Sequence, residues 1–462
     1  MSEPLKRSRE AVTQAVKAYD IRGLVEPADK ATVGRDFVFD AGAAFASILR
    51  EEGEKTVAVG HDMRPSSPEL AAAFADGVTS QGLDVVALGL TSTDQLYFAA
   101  GTLGCAGAMF TASHNPAQYN GIKLCRAGAT PVSQESGLAE ITQMLINGAP
   151  AFDGPTGTVK EDDILDDYAS FLRELVPLPE DRKLVIAVDA ANGMAGHTVP
   201  AVLGDQDVRP LYFELDGTFP NHEANPLEPE NLRDLQGFVV KQGADIGLAF
   251  DGDADRCFVV DEKGDPVSPS AITALVAERT LEDNPGATII YNAITSQAVP
   301  ELIDAKGGQG VRTRVGHSYI KAQMAEKGAL FGGEHSAHYY FADFFNADSG
   351  MVAALHVLAA LAEHDKPLSE LMAQYNRYAA SGEINSEVAD QQAKMDAVVD
   401  VFADRTESVD TLDGVTVSLA GSKTWFNVRA SNTEPLLRLN VEAETQAEVD
   451  AVVDEVLGII RS

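Results

Sequence analysis

Ala106-Gly107-Ala108-Met109-Phe110-Thr111-Ala112-Ser113-His114-Asn115-Pro116 is the stretch that sets the fold class. Its first five residues are small or apolar, a run of strand length with no polar alternation, as in a strand buried on both faces. Pro116 has no N–H and steers Asn115 out of the helical region, so the chain turns there. Ser113 therefore sits at the mouth of a strand, between Thr111 and His114. A second turn, Asn120-Gly121, leads to Ile122 and a lone lysine, Lys123. A hydroxyl with an imidazole and an ammonium nearby is what a phosphoryl-carrying nucleophile needs. The same residues also make an ordinary Ser-Asn-Pro turn.

Working outward, the same phrase recurs. Val38, Ala41, Phe45, Ile48 and Leu49 have helical spacing, Thr56-Val57-Ala58-Val59 reads as a buried strand, and Leu70, Phe74 and Val78 mark a second helix that Gly82 stops before the strand Leu83 to Leu88. Leu184 to Val188 runs into Asp189-Ala190-Ala191-Asn192-Gly193, and Ala287 to Tyr291 into Asn292-Ala293-Ile294-Thr295-Ser296. Each is a buried strand opening onto a polar loop and then a helix, which predicts α/β units with largely parallel sheets and ligand loops at the carboxyl ends of the strands. The last segment differs. Thr424 to Val428 and Leu436 to Val441 read as paired strands, and Val449, Val452, Val453, Val456, Leu457 and Ile460 line one face of a final helix. The expected organisation is three related α/β domains, 1–158, 159–263 and 264–375, and a C-terminal α+β domain, 376–462.

Composition narrows the function classes. The 462 residues are 45% hydrophobic, enough for several packed domains, and 70 acidic against 35 basic residues give a net charge of −35. Such a balance argues against nucleic acid and anionic membranes as partners. Anions must then be held where the few Arg and Lys gather. Three scattered cysteines, Cys105, Cys125 and Cys257, favour neither a disulfide framework nor a zinc site. With no apolar leader near Met1 and no run of membrane-spanning length, the cytoplasm is the expected location.

Three further loops carry chemistry. In Asp251-Gly252-Asp253-Ala254-Asp255-Arg256, three carboxylates alternate in a tight turn between two strand-like runs. They would repel one another without a hard divalent cation between them. Asp251, Asp253, Asp255 and Glu262 also have EF-hand spacing, but Arg256 occupies the place where that loop requires glycine, and the flanks are strands. Arg429-Ala430-Ser431-Asn432-Thr433-Glu434-Pro435, with Arg438 beyond, gathers guanidinium groups, hydroxyls and loop N–H groups suited to phosphate. Gly332-Gly333-Glu334-His335-Ser336-Ala337-His338 offers a carboxylate, a hydroxyl and two imidazoles, suited to sugar hydroxyls, and Val315-Gly316-His317-Ser318 with Lys321 is a candidate of the same kind. There is no Walker A, G-x-G-x-x-G or G-x-S-x-G sequence.

Taken in order, the loops at Ser113, Asp251, Glu334 and Arg429 resemble the phosphoserine, magnesium, sugar-binding and phosphate-binding loops of the α-D-phosphohexomutase superfamily, over nearly the whole chain. The resemblance implies a four-domain, heart-shaped fold with one loop per domain. It implies Mg²⁺ held by Asp251, Asp253, Asp255 and the phosphorylated Ser113. Arg22, His114 and Lys123 would surround the phosphoserine as charge or proton-transfer partners, and His338 would be a general base or sugar contact. Tyr19, Arg256, His317, Glu334 and Ser336 would meet the substrate. Arg429, Ser431, Asn432, Thr433 and Arg438 would hold the non-reacting phosphate.

The implied activity is that of a phosphomannomutase. Mannose 6-phosphate and mannose 1-phosphate would interconvert through a hexose 1,6-bisphosphate, and glucose phosphates are further candidate substrates. The alternatives are a phosphoglucosamine mutase and a sugar-phosphate-binding protein without catalysis. His335 stands where phosphomannomutases often have Met and phosphoglucosamine mutases usually have Gln. Ala337 replaces the usual glycine, and Ile294 stands where some phosphomannomutases have lysine. Asn432 leans toward the phosphomannomutase group. A monomer or homodimer is expected.

Overall fold

The computed structural model describes residues 7–179, 181–431 and 436–462, with the backbone alone at 317 and 318. It forms two compact units. One runs to Val267 and takes in Ser336–Ser369; the other joins Ser268–His335 to Glu370–Ser462.

In the first unit, Ala106–Phe110 is buried at every residue, as its unbroken apolar run requires. It pairs in parallel with Thr56–His61, which pairs in parallel with Asp84–Leu90. These three strands end on the same side, so the loops at Asp62, Thr91 and Thr111 emerge together. The sheet is mixed rather than largely parallel. Tyr119–Arg126 runs antiparallel to Ala106–Phe110, and Ile21–Leu24 antiparallel to Tyr119–Arg126. The connection through Pro116 is too short for the crossover that a parallel return needs. Helices Arg35–Glu52 and Ser67–Ser80 cover this sheet and approach backbone to backbone: a Cβ on Gly77 would lie 2.1 Å from the Phe39 carbonyl oxygen.

The second sheet of this unit has Val185–Asp189 in parallel between Asp207–Leu211 and Ile246–Phe250. Cys257–Asp261 then returns antiparallel to Ile246–Phe250, so the acidic loop spans a hairpin and not two helices. Every residue of both hairpin strands is buried. The short hairpin Tyr339–Phe341 and Ala347–Asp348 leads to the apolar helix Gly350–Ala362, whose first turn is capped by Ser349.

In the second unit, Thr288–Asn292 lies in parallel between Gln309–Thr313 and Phe331–Gly333. A separate antiparallel sheet runs Thr406–Asp410, Val415–Leu419, Trp425–Ala430, Leu436–Ala443. The outer edge of Leu436–Ala443 takes Ala379–Ala380 and Ile384–Glu387. Val449, Val452, Val456 and Ile460 of the last helix share one core with Phe426, Val428, Leu437 and Leu439. A capping box between Thr445 and Glu448 starts that helix. Among the described residues no helix is long and apolar enough to cross a membrane.

Candidate active site

The turn at Ser113 is held from behind by a wholly buried arginine. Arg64 donates through Nη2 to the carbonyl oxygens of Ser113 (2.8 Å) and Asn115 (2.7 Å), and through Nη1 to those of Pro116 (2.9 Å) and Tyr119 (3.1 Å). Its Nε donates to Asp62 Oδ2 at 3.1 Å. The Ser113 N–H donates to Thr111 Oγ1 at 2.8 Å. These bonds stabilise Ser113 in a left-handed backbone conformation, φ 50°, that a residue with a Cβ rarely adopts.

The acidic loop reaches this turn at van der Waals limits. A Cβ on Gly252 would sit 2.4 Å from the Ser113 carbonyl oxygen, so only glycine lets the two loops touch. Ser113 Oγ donates to Asp251 Oδ2 at 2.8 Å across 138 positions of sequence. Asp251, Asp253 and Asp255 are buried to within 1% of full enclosure, and each offers a carboxylate oxygen within 4.8 Å of the others. Lys123 Nζ donates to Asp253 Oδ2 and Asp255 Oδ2, both at 2.6 Å, and Arg256 Nε donates to Asp251 Oδ2 at 2.8 Å.

The donor set fits a divalent cation. Oδ1 of Asp253 and Oδ1 of Asp255 are buried and accept no hydrogen bond, which is costly unless something else satisfies them. Three carboxylates against two cationic side chains also leave the cluster net negative. Burial pushes the Asp251 carboxyl up to about 7, although Arg256 pulls it the other way. Burial would raise Asp253 as well, but Lys123 and Thr93 hold it well below the usual carboxylate range.

The imidazoles differ in kind. Burial and the adjacent Arg256 push His114 well below its ordinary pKa, so it is neutral. Its Nδ1 lies 2.6 Å from Arg256 Nη2 and 3.2 Å from Ser113 Oγ. A guanidinium can only donate, so it occupies the Nδ1 lone pair and leaves His114 poorly placed to take the serine proton. His338 is raised instead: burial lowers it, but Asp255 and Asp348 outweigh that. Its Nδ1 is 2.9 Å from Asp348 Oδ2, which assigns the proton to Nδ1 and leaves Nε2 as the second ring nitrogen. Burial likewise lowers Lys123, and Asp253 and Asp255 carry it well above its ordinary value, so it stays charged. Arg22 donates to Asn115 Oδ1 (2.6 Å) and Asp20 Oδ2 (2.7 Å), with half-buried Tyr19 beside it. The first unit thus gathers Ser113, His114, Lys123, Arg22, Arg256, the three aspartates and His338. Ser336 is half-buried on the same unit.

The second unit carries the remaining described candidates. Glu334 is buried, and its Oε2 accepts from Asn292 Nδ2 (3.1 Å) and the Gly316 N–H (3.2 Å). Arg429 and Arg438 face each other across paired strands, and Ser431 continues that strand end, its N–H donating to the Leu436 carbonyl oxygen at 2.9 Å. Asn432 and Thr433 lie outside the described residues, as does the side chain of His317, which opens the helix His317–Lys327.

Sequence reading passed over several residues. Thr93, buried, donates Oγ1 to Asp253 Oδ2 at 2.6 Å and its N–H to the Asp253 carbonyl oxygen at 3.0 Å. Arg64 and Asp348 act on Ser113 and His338 in the same indirect way. Their partners are distant in sequence or only meet once the fold forms, so no local spacing marks them. The one readable signal was Ser92-x-x-Gln95, a capping box that fixes the helix start at Thr93.

Comparison with known proteins agrees along the whole chain. Residues 13–149, 166–264 and 268–378 match the alpha/beta/alpha domains I, II and III of phosphoglucomutase/phosphomannomutase, and 383–459 matches its C-terminal domain. The chain is 37% identical to a phosphomannomutase of Salmonella montevideo, covering 96% of this chain and 98% of that one. It is also 37% identical to a phosphomannomutase/phosphoglucomutase of Pseudomonas putida, covering 95% and 93%. The crystal structure of a phosphoglucomutase/phosphomannomutase family protein from Burkholderia thailandensis superimposes with a TM-score of 0.88 at 31% identity, covering 98% of each chain. A serine turn clasped by an arginine and touching a buried triad of aspartates is thus set in four successive family domains, and the chain belongs to the phosphoglucomutase/phosphomannomutase family of α-D-phosphohexomutases.

Proposed function

We propose that this chain is a phosphomannomutase that interconverts mannose 6-phosphate and mannose 1-phosphate, with Ser113 as the phosphoryl carrier. The observation that carries this reading is Ser113 Oγ, 2.8 Å from Asp251 Oδ2 at the edge of a buried aspartate triad with two unsatisfied oxygens. A phosphoryl group passing to or from a serine needs its developing charge neutralised, which a cation held in this cluster would do, and the four family domains favour a sugar hydroxyl over water as the acceptor. Mg²⁺ held by Asp251, Asp253, Asp255 and the serine phosphate would supply neutralisation of the charge on the transferring group.

The chain's own residues do the rest. In the first half-reaction a hexose hydroxyl attacks the phosphorus of phosphoserine 113. The new bond is sugar oxygen to phosphorus, the bond to Ser113 Oγ breaks, and His338 Nε2 accepts the hydroxyl proton. Asp348 holds His338 in the tautomer that leaves Nε2 open for this. Lys123 and Arg22 add positive charge on the serine side. The product, hexose 1,6-bisphosphate, turns over and returns its other phosphoryl to Ser113 Oγ, and the proton held by His338 goes back to the freed sugar oxygen. We assign the sugar hydroxyls to Glu334 and Ser336, and the non-reacting phosphate to Arg429, Ser431 and Arg438, with Asn432 and Thr433 adding to it by the family pattern.

Intact-protein mass spectrometry tests the carrier. Wild type gains one phosphoryl on exposure to hexose 1,6-bisphosphate, Ser113→Ala gains none, and turnover of mannose 1-phosphate falls to background. Interconversion by Ser113→Ala at the wild-type rate would sink the mechanism. The Pseudomonas putida relative, named for both activities, gives glucose phosphates as a second substrate class. Parallel assays on mannose, glucose and glucosamine 1-phosphates rank the three, and dominant turnover of the amino sugar overturns the mannose assignment.

A further inference from the structure

Arg429 and Arg438 are register partners on adjacent antiparallel strands, Trp425–Ala430 and Leu436–Ala443. Directly opposite residues point to the same face, so two guanidinium groups lie side by side, and like charges so placed destabilise the pair. One residue relieves this. Glu383, just ahead of the edge strand Ile384–Glu387, accepts from Arg429 Nη2 at 2.6 Å through Oε2, and its Oε1 is 3.2 Å from Arg438 Nη1. Each carboxylate oxygen takes one arginine. Among the described residues, one carboxylate thus serves both guanidinium groups. Arg429 Nε is buried and has no hydrogen-bond partner, a spare donor on a residue only 8% exposed. The Glu383 side chain itself is 29% exposed, so it can be displaced without opening the core. Its charge also reaches His335 in the sugar loop, where it opposes the lowering by burial.

We propose that Glu383 is a placeholder anion: it occupies the arginine pair when no substrate is bound and competes with the substrate's phosphate for the same guanidinium groups. This rests on the assignment of Arg429 and Arg438 to the non-reacting phosphate. The physical consequence is a ceiling on phosphate affinity. A hexose phosphate gains two charge-assisted contacts but must break two. For an enzyme whose bisphosphate intermediate has to let go of this site to turn over, that ceiling is useful. Phosphate binding that is equally strong in ground and transition states lowers KM without helping kcat, and here it would slow the turn.

The test is Glu383→Gln, which removes the charge and keeps an oxygen able to accept from one arginine. Inorganic phosphate is the probe, as an inhibitor of mannose 1-phosphate turnover. The expected result is a phosphate inhibition constant lower by about five- to tenfold, the size of a partly exposed ion-pair effect. KM for the sugar phosphate falls with it, and kcat falls as well. A scaffolding role predicts the reverse sign, because losing a support for the arginines weakens phosphate binding. An unchanged or higher inhibition constant, in a variant with the wild-type melting temperature, overturns the proposal. Should Glu383→Gln fail to fold, Glu383→Asp decides: its shorter carboxylate holds one arginine at a time, and an inhibition constant below wild type supports competition, whereas one equal or higher overturns it. Arg438→Met separates the two levels of the argument. If it leaves KM and phosphate inhibition untouched, the assignment of the phosphate site is wrong; if it raises both while Glu383→Gln changes neither, only the placeholder is wrong.

Discussion

The Asp253 carboxylate accepts from Lys123 Nζ and from the Thr93 hydroxyl, and the Thr93 N–H donates to the Asp253 backbone carbonyl oxygen. The lysine sets the charge and the threonine sets the angle. Hydrogen bonds of this kind to a metal-ligating group change affinity for the ion by about 10- to 100-fold when removed. Thr93→Val keeps the shape and deletes the hydroxyl, so at the proposed Mg²⁺ site the dissociation constant should rise by about that factor, while Thr93→Ser should stay near wild type. Calorimetric titration of metal into the substrate-free protein measures this apart from turnover. Equal affinity in Thr93→Val and wild type would mean that the Thr93 hydroxyl does not fix Asp253. The contrast with the aspartates shows what a sequence can reveal. Three carboxylates in five positions repel wherever they fold, so their need for a cation is local and readable. Thr93 lies 160 positions from its partner, and the capping box around it marks a helix start but not that contact, while Arg64 acts on carbonyl oxygens that every residue has.

Among elements, the contact that matters most is the meeting of two loops from different sheets. The Ser113 turn follows Ala106–Phe110 and the acidic turn follows Ile246–Phe250, and they touch at Gly252. Gly252→Ala inserts a methyl group where 2.4 Å is available. Either loop must move, and a displacement near 1 Å at a reacting group can cost about 100-fold. We expect kcat to fall by at least tenfold, with phosphorylation of Ser113 slowed in step, and the folded state to lose about 1–3 kcal/mol of stability by overpacking, read as a lower melting temperature. Wild-type kcat in Gly252→Ala would show that the loops have slack. The strands feeding these loops were legible because continuous apolar runs of strand length have few other uses. Tyr119–Arg126 was not. Asn120, Lys123 and Arg126 interrupt its apolar residues, since it carries Lys123 to the aspartates and shields Asn120 in full burial. Its polar side chains serve the site, and that is what hid the strand. The antiparallel return at Cys257–Asp261, by contrast, is legible as a tight turn between two strand-like runs.

For the molecule as a whole, the dominant physical fact outside the site is an excess of acid. Seventy acidic residues against 35 basic ones leave a charge of −35 to be accommodated. The pairs that matter to the site, Arg64 with Asp62, Arg256 with Asp251 and Lys123 with Asp253, are buried, and salt screens them little. Exposed pairs such as Arg233 with Glu230 contribute little individually. What remains is long-range repulsion among surface carboxylates, which opposes the compact state and is sensitive to screening. The Debye length falls from about 10 Å at 0.1 M to about 3 Å at 1 M, so sodium chloride should remove most of that repulsion. The first unfolding midpoint should therefore rise by several degrees between about 0.05 M and about 1 M NaCl, steeply at first and then level, as screening saturates. Scanning calorimetry over that range reads the effect, and an equal series in sucrose, which excludes itself from the surface without screening, separates charge from general stabilisation. A midpoint that falls with NaCl would mean that surface ion pairs outweigh the repulsion, and that the acidic residues are placed in pairs and networks and not merely spread apart.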